Sequence, residues 1–230
     1  AWIHTAYGVA DWGWDRTIKV LAENGFNAIF PNMLWAGLAH YPSDLLPVAA
    51  EVAEQGDQIA EALQACHKYG VELHVWKVNH YLLHAPPELM ERLRAEGRLQ
   101  CSAEGEEIPW LCPSHPDNFA LERDSMPEVV RKYAVDGIHF DYIRYPGSHS
   151  CYCEGCRERF QRDTGLTVAQ WPGNVRGGPL TVQFAEWRRE HITRLVRAVA
   201  NEARRIRPGI KVSAAVFSNW EDARETVGQD

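Results

Sequence analysis

The stretch Gly137-Ile-His-Phe-Asp-Tyr-Ile-Arg-Tyr-Pro146 carries the pattern that decides the fold class. Gly137, His139 and Asp141 share one face of this stretch and apolar side chains occupy the other, which is the period-two pattern of a β-strand. Asp141 is then the last strand residue before a loop. Parallel α/β folds place their chemistry at the carboxyl ends of their strands, so the stretch predicts an α/β enzyme with a carboxylate at that position.

Four more strand-like runs occur along the chain, and a helical pattern separates each from the next. These runs begin near Trp2, Asn27, Val71 and Lys211. The predicted helices run from Asp15 as N-cap to Gly25, from Asp57 to Gly70, from Pro86 to Gly97, from Asp117 to Ala134 and from Thr181 to Ile206. The alternation predicts a parallel sheet of five strands. Such a sheet is either a complete doubly wound domain or strands one to five of a barrel.

The composition is that of a globular chain, with 230 residues, 45% of them hydrophobic, and a formal net charge of −7. It predicts one domain over 1–230 without a membrane span, because no run approaches the roughly 18 apolar residues that a membrane helix needs. The acidic balance argues against a nucleic-acid partner. Nine tryptophans offer flat aromatic faces, which favours a carbohydrate as the ligand, and the alternative is that most of them pack in the core beneath the helices.

The chain begins at Ala1, inside a predicted strand, and no signal sequence with a charged and then apolar pattern opens it. The compartment is therefore left open, an exported or periplasmic location included. The amino-acid sequence does not specify an oligomeric state.

A cysteine motif, Cys151-Tyr-Cys-Glu-Gly-Cys156, follows the decisive strand within five residues of Pro146. This tight spacing lets three thiolates converge on one ion, and zinc is the expected occupant. Cys112, just before the third predicted long helix, is the first candidate for the fourth ligand. Its competitors are Cys101, His115 and His149. A disulfide that pairs Cys153 and Cys156 with each other, or with Cys101, is the alternative.

Four thiolate ligands leave no coordination position for water, so the predicted zinc is structural rather than catalytic. The segment 146–180 is predicted to be a Cys-rich zinc loop with a lid-like insertion. A catalytic zinc keeps an open position, and no histidine-rich ligand set accompanies the thiols.

Glycoside cleavage uses two carboxyl groups on opposite sides of the scissile bond. Asp141 is the candidate for one of them, as proton donor or electrostatic partner, and a rim ion pair with Arg144 is the alternative role. No second carboxylate stands out. Nine residues on the same strand faces or just past strand ends are predicted to contact the sugar. They are Trp35, Trp76, Asn79, His80, His139, Tyr142, Arg144, Asn219 and Trp220.

Several motifs resemble the family-10-like glycosyl hydrolases, a bacterial group with a (β/α)8 TIM-type barrel. The motifs are Val135–Pro146, Gly25–Phe30, Tyr41–Pro47, Trp110–Pro116, Val212–Phe217 and Glu225–Asp230. These motifs occur in the same order as in the family, and together they span nearly the whole chain. The resemblance implies that these residues carry strands 1 to 5 of the barrel and their helices, with three further strands after Asp230. The second catalytic carboxylate is expected there.

The cysteine motif is similar to the zinc cluster of family 42 β-galactosidases, which also follows the acid residue of the fourth strand. By that likeness Cys112, Cys151, Cys153 and Cys156 are the metal ligands. Those enzymes have a glutamate general acid preceded by Asn, where this chain has Asp141 preceded by Phe140. Because both residues differ, the likeness alone does not assign the general-acid role to Asp141.

The sequence therefore favours a glycoside hydrolase that acts on a poly- or oligosaccharide at the C-terminal face of a barrel. The residues 1–230 in isolation are expected to be inactive. One alternative is a non-catalytic carbohydrate-binding barrel domain. Another is a zinc-dependent hydrolase, which the closed cysteine set disfavours.

Overall fold

The computed structural model describes residues Ala1–Asp230. Strands and helices alternate along the chain. Their order is β1 (Trp2–Ile3), α1 (Gly13–Glu23), β2 (Ala28–Trp35), β3 (Leu38–Ala39), α2 (Val52–Gln55), α3 (Gln58–Tyr69), β4 (Glu72–Val78), α4 (Pro87–Ala95), β5 (Leu99–Cys101), β6 (Glu107–Leu111), α5 (Pro116–Lys132), β7 (Gly137–Asp141), α6 (Glu154–Thr164), α7 (Thr181–Ile206), β8 (Lys211–Ala214) and α8 (Trp220–Thr226). None of the helices combines the length and the apolar character that crossing a membrane requires.

The parallel sheet contains the five predicted strands, in the order β1-β2-β4-β7-β8. All four pairings along this order are parallel, and the β4–β7 pairing runs in register from His74↔Gly137 to Val78↔Asp141. Each strand lies beside the preceding one, whereas a doubly wound sheet reverses its order at a switch point. The barrel alternative is therefore confirmed, and the sheet is the five-strand part of a (β/α)8 barrel.

Residue contacts divide the chain into two compact units. The sheet unit contains residues 1–79, 123–141 and 198–215, and the whole parallel sheet lies in it. The loop unit contains residues 80–122, 142–197 and 216–230. It carries the antiparallel hairpin of β5 and β6 and the Cys-rich segment. The assignment of 1–230 to one domain stays a prediction.

The helix α3 begins and ends where the sequence predicts. Asp57 caps it by accepting a hydrogen bond from the Ala60 backbone N at 3.1 Å, and Gly70 ends it with a left-handed φ of 69°. The prediction of Asp15 as the N-cap of α1 is wrong, because α1 begins two residues earlier. The Asp15 carboxylate instead accepts a hydrogen bond from Lys68 of α3 at 2.6 Å, so it joins the two helices.

The hairpin of β5 and β6 was not predicted from the sequence. Its strands are short, and their side chains do not alternate in polarity over enough residues to indicate a strand. A small apolar cluster of the loop unit holds it, with all four side chains buried. The cluster consists of Leu82, Leu93, Leu99 and Leu111.

A buried carboxylate, that of Glu128 in α5, holds the loop that follows β3. Tyr41 Oη donates to Glu128 Oε2 at 2.8 Å, Ser43 Oγ to the same oxygen at 2.7 Å, and the Asp44 backbone N to Oε1 at 2.6 Å. Lys132 Nζ lies 3.3 Å from Oε1. Burial alone would raise the pKa of Glu128, but the hydrogen bonds outweigh it and lower the pKa below its usual value.

We expect Glu128→Gln to lower the free energy of unfolding at pH 7 by about 2–4 kcal/mol, because an amide cannot accept all these hydrogen bonds. A carboxyl with a lowered folded-state pKa stabilises the fold above its unfolded pKa of about 4.3, and this stabilisation is lost as the pH falls through the folded value. The difference between variant and wild type should therefore shrink at pH 3. Urea unfolding at both pH values measures it, with Glu61→Gln on the surface of α3 as the control. A difference that grows at pH 3 would contradict this role.

Candidate active site and metal centre

Asp141 lies at the carboxyl end of β7, the fourth strand of the parallel sheet. Its backbone carbonyl accepts a hydrogen bond at 2.8 Å from the N–H of Asn79, the residue directly after β4. The Asp141 side chain is half-buried, whereas Phe140 before it is fully buried. The sheet therefore holds this carboxylate at the edge where barrel enzymes place catalytic groups.

The backbone turns in the same unusual way after two neighbouring strands. His80 and Tyr142, which directly follow Asn79 and Asp141 in the chain, have φ values of 64° and 52°. The left-handed region is costly for residues with a side chain, by roughly 1–2 kcal/mol each. Such residues cluster at functional sites, so these two strand ends carry the backbone signature of one.

An aromatic and histidine layer lines the sheet face that Asp141 shares with His139. The Trp2 ring lies 5.0 Å from the Trp76 ring and 4.6 Å from the His139 ring, and His139 Nδ1 is 2.8 Å from Ser213 Oγ. Trp76 and His139 are each 4% exposed. The structure therefore places both in the interior of the sheet unit, and their contact with a sugar stays a prediction.

Burial, with a smaller contribution from nearby His74, lowers the pKa of His139 to about 4 from the usual 6.5. A base with a lowered folded-state pKa stabilises the fold above its unfolded pKa and loses this stabilisation as the pH falls from 6.5 to 4. We expect wild type to lose up to about 3 kcal/mol over this interval through His139, and His139→Asn to lose correspondingly less. Urea unfolding at pH 7 and pH 4.5 measures the difference. The exposed His67→Asn serves as control, and identical pH profiles for the two variants would contradict the expectation.

The predicted sugar contacts at the ends of β2 and β4 differ in exposure. Trp35, the last residue of β2, is 36% exposed and stacks on the His40 ring at 5.8 Å. Asn79 and His80 are buried. Trp35 thus presents an aromatic surface to solvent, and the other two lie within the backbone turn after β4.

The loop unit brings an aromatic cluster together around Tyr142. The Tyr142 ring centroid is 5.2 Å from that of Tyr81 and 5.5 Å from that of Trp110. The Arg144 guanidinium lies 4.7 Å from the Tyr142 ring and 5.3 Å from the Trp110 ring. Tyr142 and Arg144 are among the predicted sugar contacts, and this role stays a prediction. The sequence did not single out their neighbours Tyr81 and Trp110, of which Trp110 is only 5% exposed. Two sequence signals point to this neighbourhood. Tyr81 lies in the loop after β4, and Trp110 lies two residues before Cys112.

The last two predicted contacts lie at the start of α8. Asn219 Oδ1 accepts a hydrogen bond from the Asp222 backbone N at 3.3 Å, so this side chain caps the helix. Trp220 is 61% exposed. Sugar contact by either residue stays a prediction, and the cap gives Asn219 a structural role.

Four cysteine thiols of the loop unit meet at one point, and all their Sγ atoms lie within 4.8 Å of one another. They belong to Cys112, Cys151, Cys153 and Cys156. The Sγ of Cys112 is 3.5 Å from that of Cys156 and 3.9 Å from that of Cys153. Four sulfurs about 2.3 Å from a zinc ion at the corners of a tetrahedron are about 3.8 Å apart. The cluster therefore has the dimensions of a four-thiolate metal site.

The one cationic side chain that contacts the cluster is Arg159. Hydrogen bonds from the other three thiols, first that of Cys151, lower the pKa of Cys112, whereas burial raises the pKa of Cys151. Arg159 Nη2 donates to Cys112 Sγ at 3.5 Å, and its Nε donates to Ser114 Oγ at 3.0 Å. One guanidinium does not balance four thiolates, three of which are buried, so their joint ionisation requires a metal ion.

The alternatives for the fourth ligand do not join the cluster, since Cys101, His115 and His149 lie outside it. All six cysteines are free thiols. The disulfide alternative, Cys153 and Cys156 paired with each other or with Cys101, is therefore not formed in the structure. The structure groups Cys112 with the cysteine motif, and zinc as the bound ion stays a prediction.

The fold is that of a TIM-type barrel, and comparison with known families agrees with it. The model of the glycosyl hydrolase-like 10 family matches residues 10–230. The chain belongs to this family. The glycosyl hydrolase DigH of Escherichia coli strain K12 is 24% identical over 233 residues, which cover 91% of this chain and 48% of DigH. The chain thus spans about half the length of the curated relatives it matches.

Solved structures share the fold. The glycoside hydrolase domain of PgaB (BpsB) from Bordetella bronchiseptica has a TM-score of 0.72 and 14% identity, over 100% of this chain and 69% of that one. A β-galactosidase from the psychrophilic Marinomonas ef1 has a TM-score of 0.66 and 12% identity, over 93% of this chain and 36% of that one. Both likenesses concern the barrel fold.

Proposed function

We propose that the protein is a glycoside hydrolase that cleaves a poly- or oligosaccharide, with Asp141 as proton donor or electrostatic partner. The observation that carries the proposal is the half-buried Asp141 side chain at the carboxyl end of β7, in a chain of a glycosyl hydrolase-like family. The left-handed residue that follows it, Tyr142, supports the same location.

Hydrolysis of a glycosidic bond uses two carboxyl groups with different roles. A carboxylic acid protonates the leaving oxygen while a second carboxyl group, on the other side of the sugar, attacks it or activates water. The proposal gives Asp141 the first role, or gives it stabilisation of the positive charge that develops on the sugar ring. The half-buried Tyr142 offers a flat face for a sugar ring, and Arg144 offers donors for sugar hydroxyls.

We propose a structural zinc for the cysteine cluster. The ion would be held by Cys112, Cys151, Cys153 and Cys156 as thiolates, and with four sulfur ligands it would keep no position for water or substrate. It would tie the loop after β6 to the loop after β7, because Cys112 follows β6 and the other three ligands follow β7. Its influence on hydrolysis would be indirect, through the position of these loops.

One observation favours a second candidate, a non-catalytic carbohydrate-binding barrel. Trp35 is the last residue of β2, Asn79 directly follows β4 and Ala215 directly follows β8. None of these three residues supplies the second carboxylate. Release of reducing sugar by the full-length protein from a panel of neutral and acidic glycans tests the choice. Hydrolysis of one of them supports the enzyme, and binding without hydrolysis of any of them supports the alternative.

We expect Tyr142→Asn to raise KM about 5- to 10-fold, with a smaller effect on kcat, because a sugar ring loses part of its aromatic platform. Asparagine tolerates the left-handed backbone at this position, so the variant removes the ring with little added strain. Steady-state hydrolysis of the best glycan measures both constants. Phe26→Asn, an exposed aromatic just before β2 at the opposite end of the strands, should leave them unchanged. An unaltered KM in Tyr142→Asn would remove the residue from the sugar site.

A further inference from the structure

A cavity of about 210 Å³ opens on the surface of the loop unit, and none of the four clustered cysteines and no member of the aromatic cluster lines it. Its wall is partly apolar, with Tyr152, Val175, Phe184 and Ala185 among the lining residues. Ligand sites for drug-sized molecules measure about 300–1,000 Å³, so this cavity suits a single small group or one sugar residue.

A buried arginine, Arg188 of α7, lines this cavity and is only 5% exposed. Its Nη2 donates to the Gly147 carbonyl at 3.0 Å, and its guanidinium lies 4.2 Å from the Tyr145 ring. Its Nε is buried without a hydrogen-bond acceptor. No carboxylate pairs with it, although buried charges in proteins are as a rule paired. The guanidinium therefore lacks a counter-ion.

The other charged side chains of the cavity wall, Arg176 and Glu225, each have an oppositely charged partner. Arg176 Nη1 lies 2.7 Å from Glu104 Oε1, and Glu225 Oε1 lies 3.7 Å from Arg189 Nη1. Arg188 thus remains as the one uncompensated charge of the wall. A single negative charge balances it, whereas a doubly charged phosphate would add an excess negative charge beside Glu225.

We propose that this cavity binds a carboxylate, carried by an acidic sugar or a small organic acid, with Arg188 as its charged partner. The carboxylate would accept hydrogen bonds from the planar guanidinium, and the apolar wall would pack against the carbon skeleton that carries it. None of the residues that line this cavity belongs to the proposed hydrolytic centre, and binding there does not require hydrolysis.

Two variants test the site by different means. Ala185→Met fills the cavity with a side chain that suits the helix α7 and leaves the buried arginine intact. Arg188→Lys keeps the charge and removes the planar fork. Val182→Met is the matched control, because Val182 lies on the same helix, is 66% exposed and does not line the cavity.

Calorimetric titration of the chain with sodium D-glucuronate should show binding, and titration with uncharged D-glucose should show none. The Kd for glucuronate should rise at least about tenfold, equal to about 1.4 kcal/mol, in Ala185→Met and in Arg188→Lys, and stay unchanged in Val182→Met. Binding of L-lactate as tightly as glucuronate would identify the ligand as a small acid, and weaker binding of lactate would identify an acidic sugar. Failure of both acids to bind, binding of inorganic phosphate alone, or an unchanged Kd in Ala185→Met would overturn the proposal. Glycan hydrolysis is not read in this experiment, so its outcome is independent of the proposed enzyme activity.

Discussion

We expect Asp141→Asn to lower kcat for glycan hydrolysis by about 100-fold or more in the full-length protein, with glycan affinity retained. Asparagine has nearly the shape of aspartate, but it neither donates a carboxylic proton nor carries the negative charge that stabilises a cationic sugar. Removal of a general acid or base typically costs a factor of about 10² to 10⁴. Because the loss arises in the transition state, it should appear in kcat and kcat/KM together.

The matched control is Asp124→Asn on α5, an aspartate whose carboxylate pairs with Arg123 at 2.6 Å. It should hydrolyse glycan at the wild-type rate. Both variants should have wild-type circular dichroism and bind glycan in a pull-down assay. Hydrolysis that persists unchanged in Asp141→Asn would show that Asp141 is not the acid. Wild-type binding without hydrolysis would instead favour the non-catalytic barrel.

We expect the purified chain to contain about one zinc ion, and Cys112→Ser to lose most of it together with several kcal/mol of unfolding free energy. Structural zinc sites supply binding free energy directly to folding, and a serine hydroxyl is a poor zinc ligand at neutral pH. Cys112 is the one member of the cluster that lies outside the segment 151–156. Its loss therefore frees that segment from the loop after β6.

Cys101→Ser is the matched control, since Cys101 lies in the loop unit but outside the cluster. It should keep the full zinc content, measured by mass spectrometry of the metal, and the wild-type Tm. A strong chelator should lower the Tm of wild type and leave that of Cys112→Ser nearly unchanged. A stoichiometric metal content in Cys112→Ser, or none in wild type, would refute the four-cysteine site.

The sequence predicted correctly those elements whose pattern is local. The five parallel strands and the helix α7 appear where apolar periodicity indicated them, because burial on one face imposes a repeat of 2 or 3.6 residues. The end of β7 at Asp141 and the convergence of three cysteines in the segment 151–156 also followed from local spacing. The role of Asp141 and the identity of the metal remain predictions that the variants above test.

Only the tertiary structure decided the features that join distant segments. The carboxylate of Glu128 holds Tyr41 from a loop 87 residues earlier, and Cys112 meets Cys156 from 44 residues away. The two-stranded hairpin of β5 and β6 and the uncompensated charge of Arg188 belong to the same class. A periodic pattern records which face of an element is buried. It does not record which distant group lies against that face, because that choice depends on the packing of the whole chain.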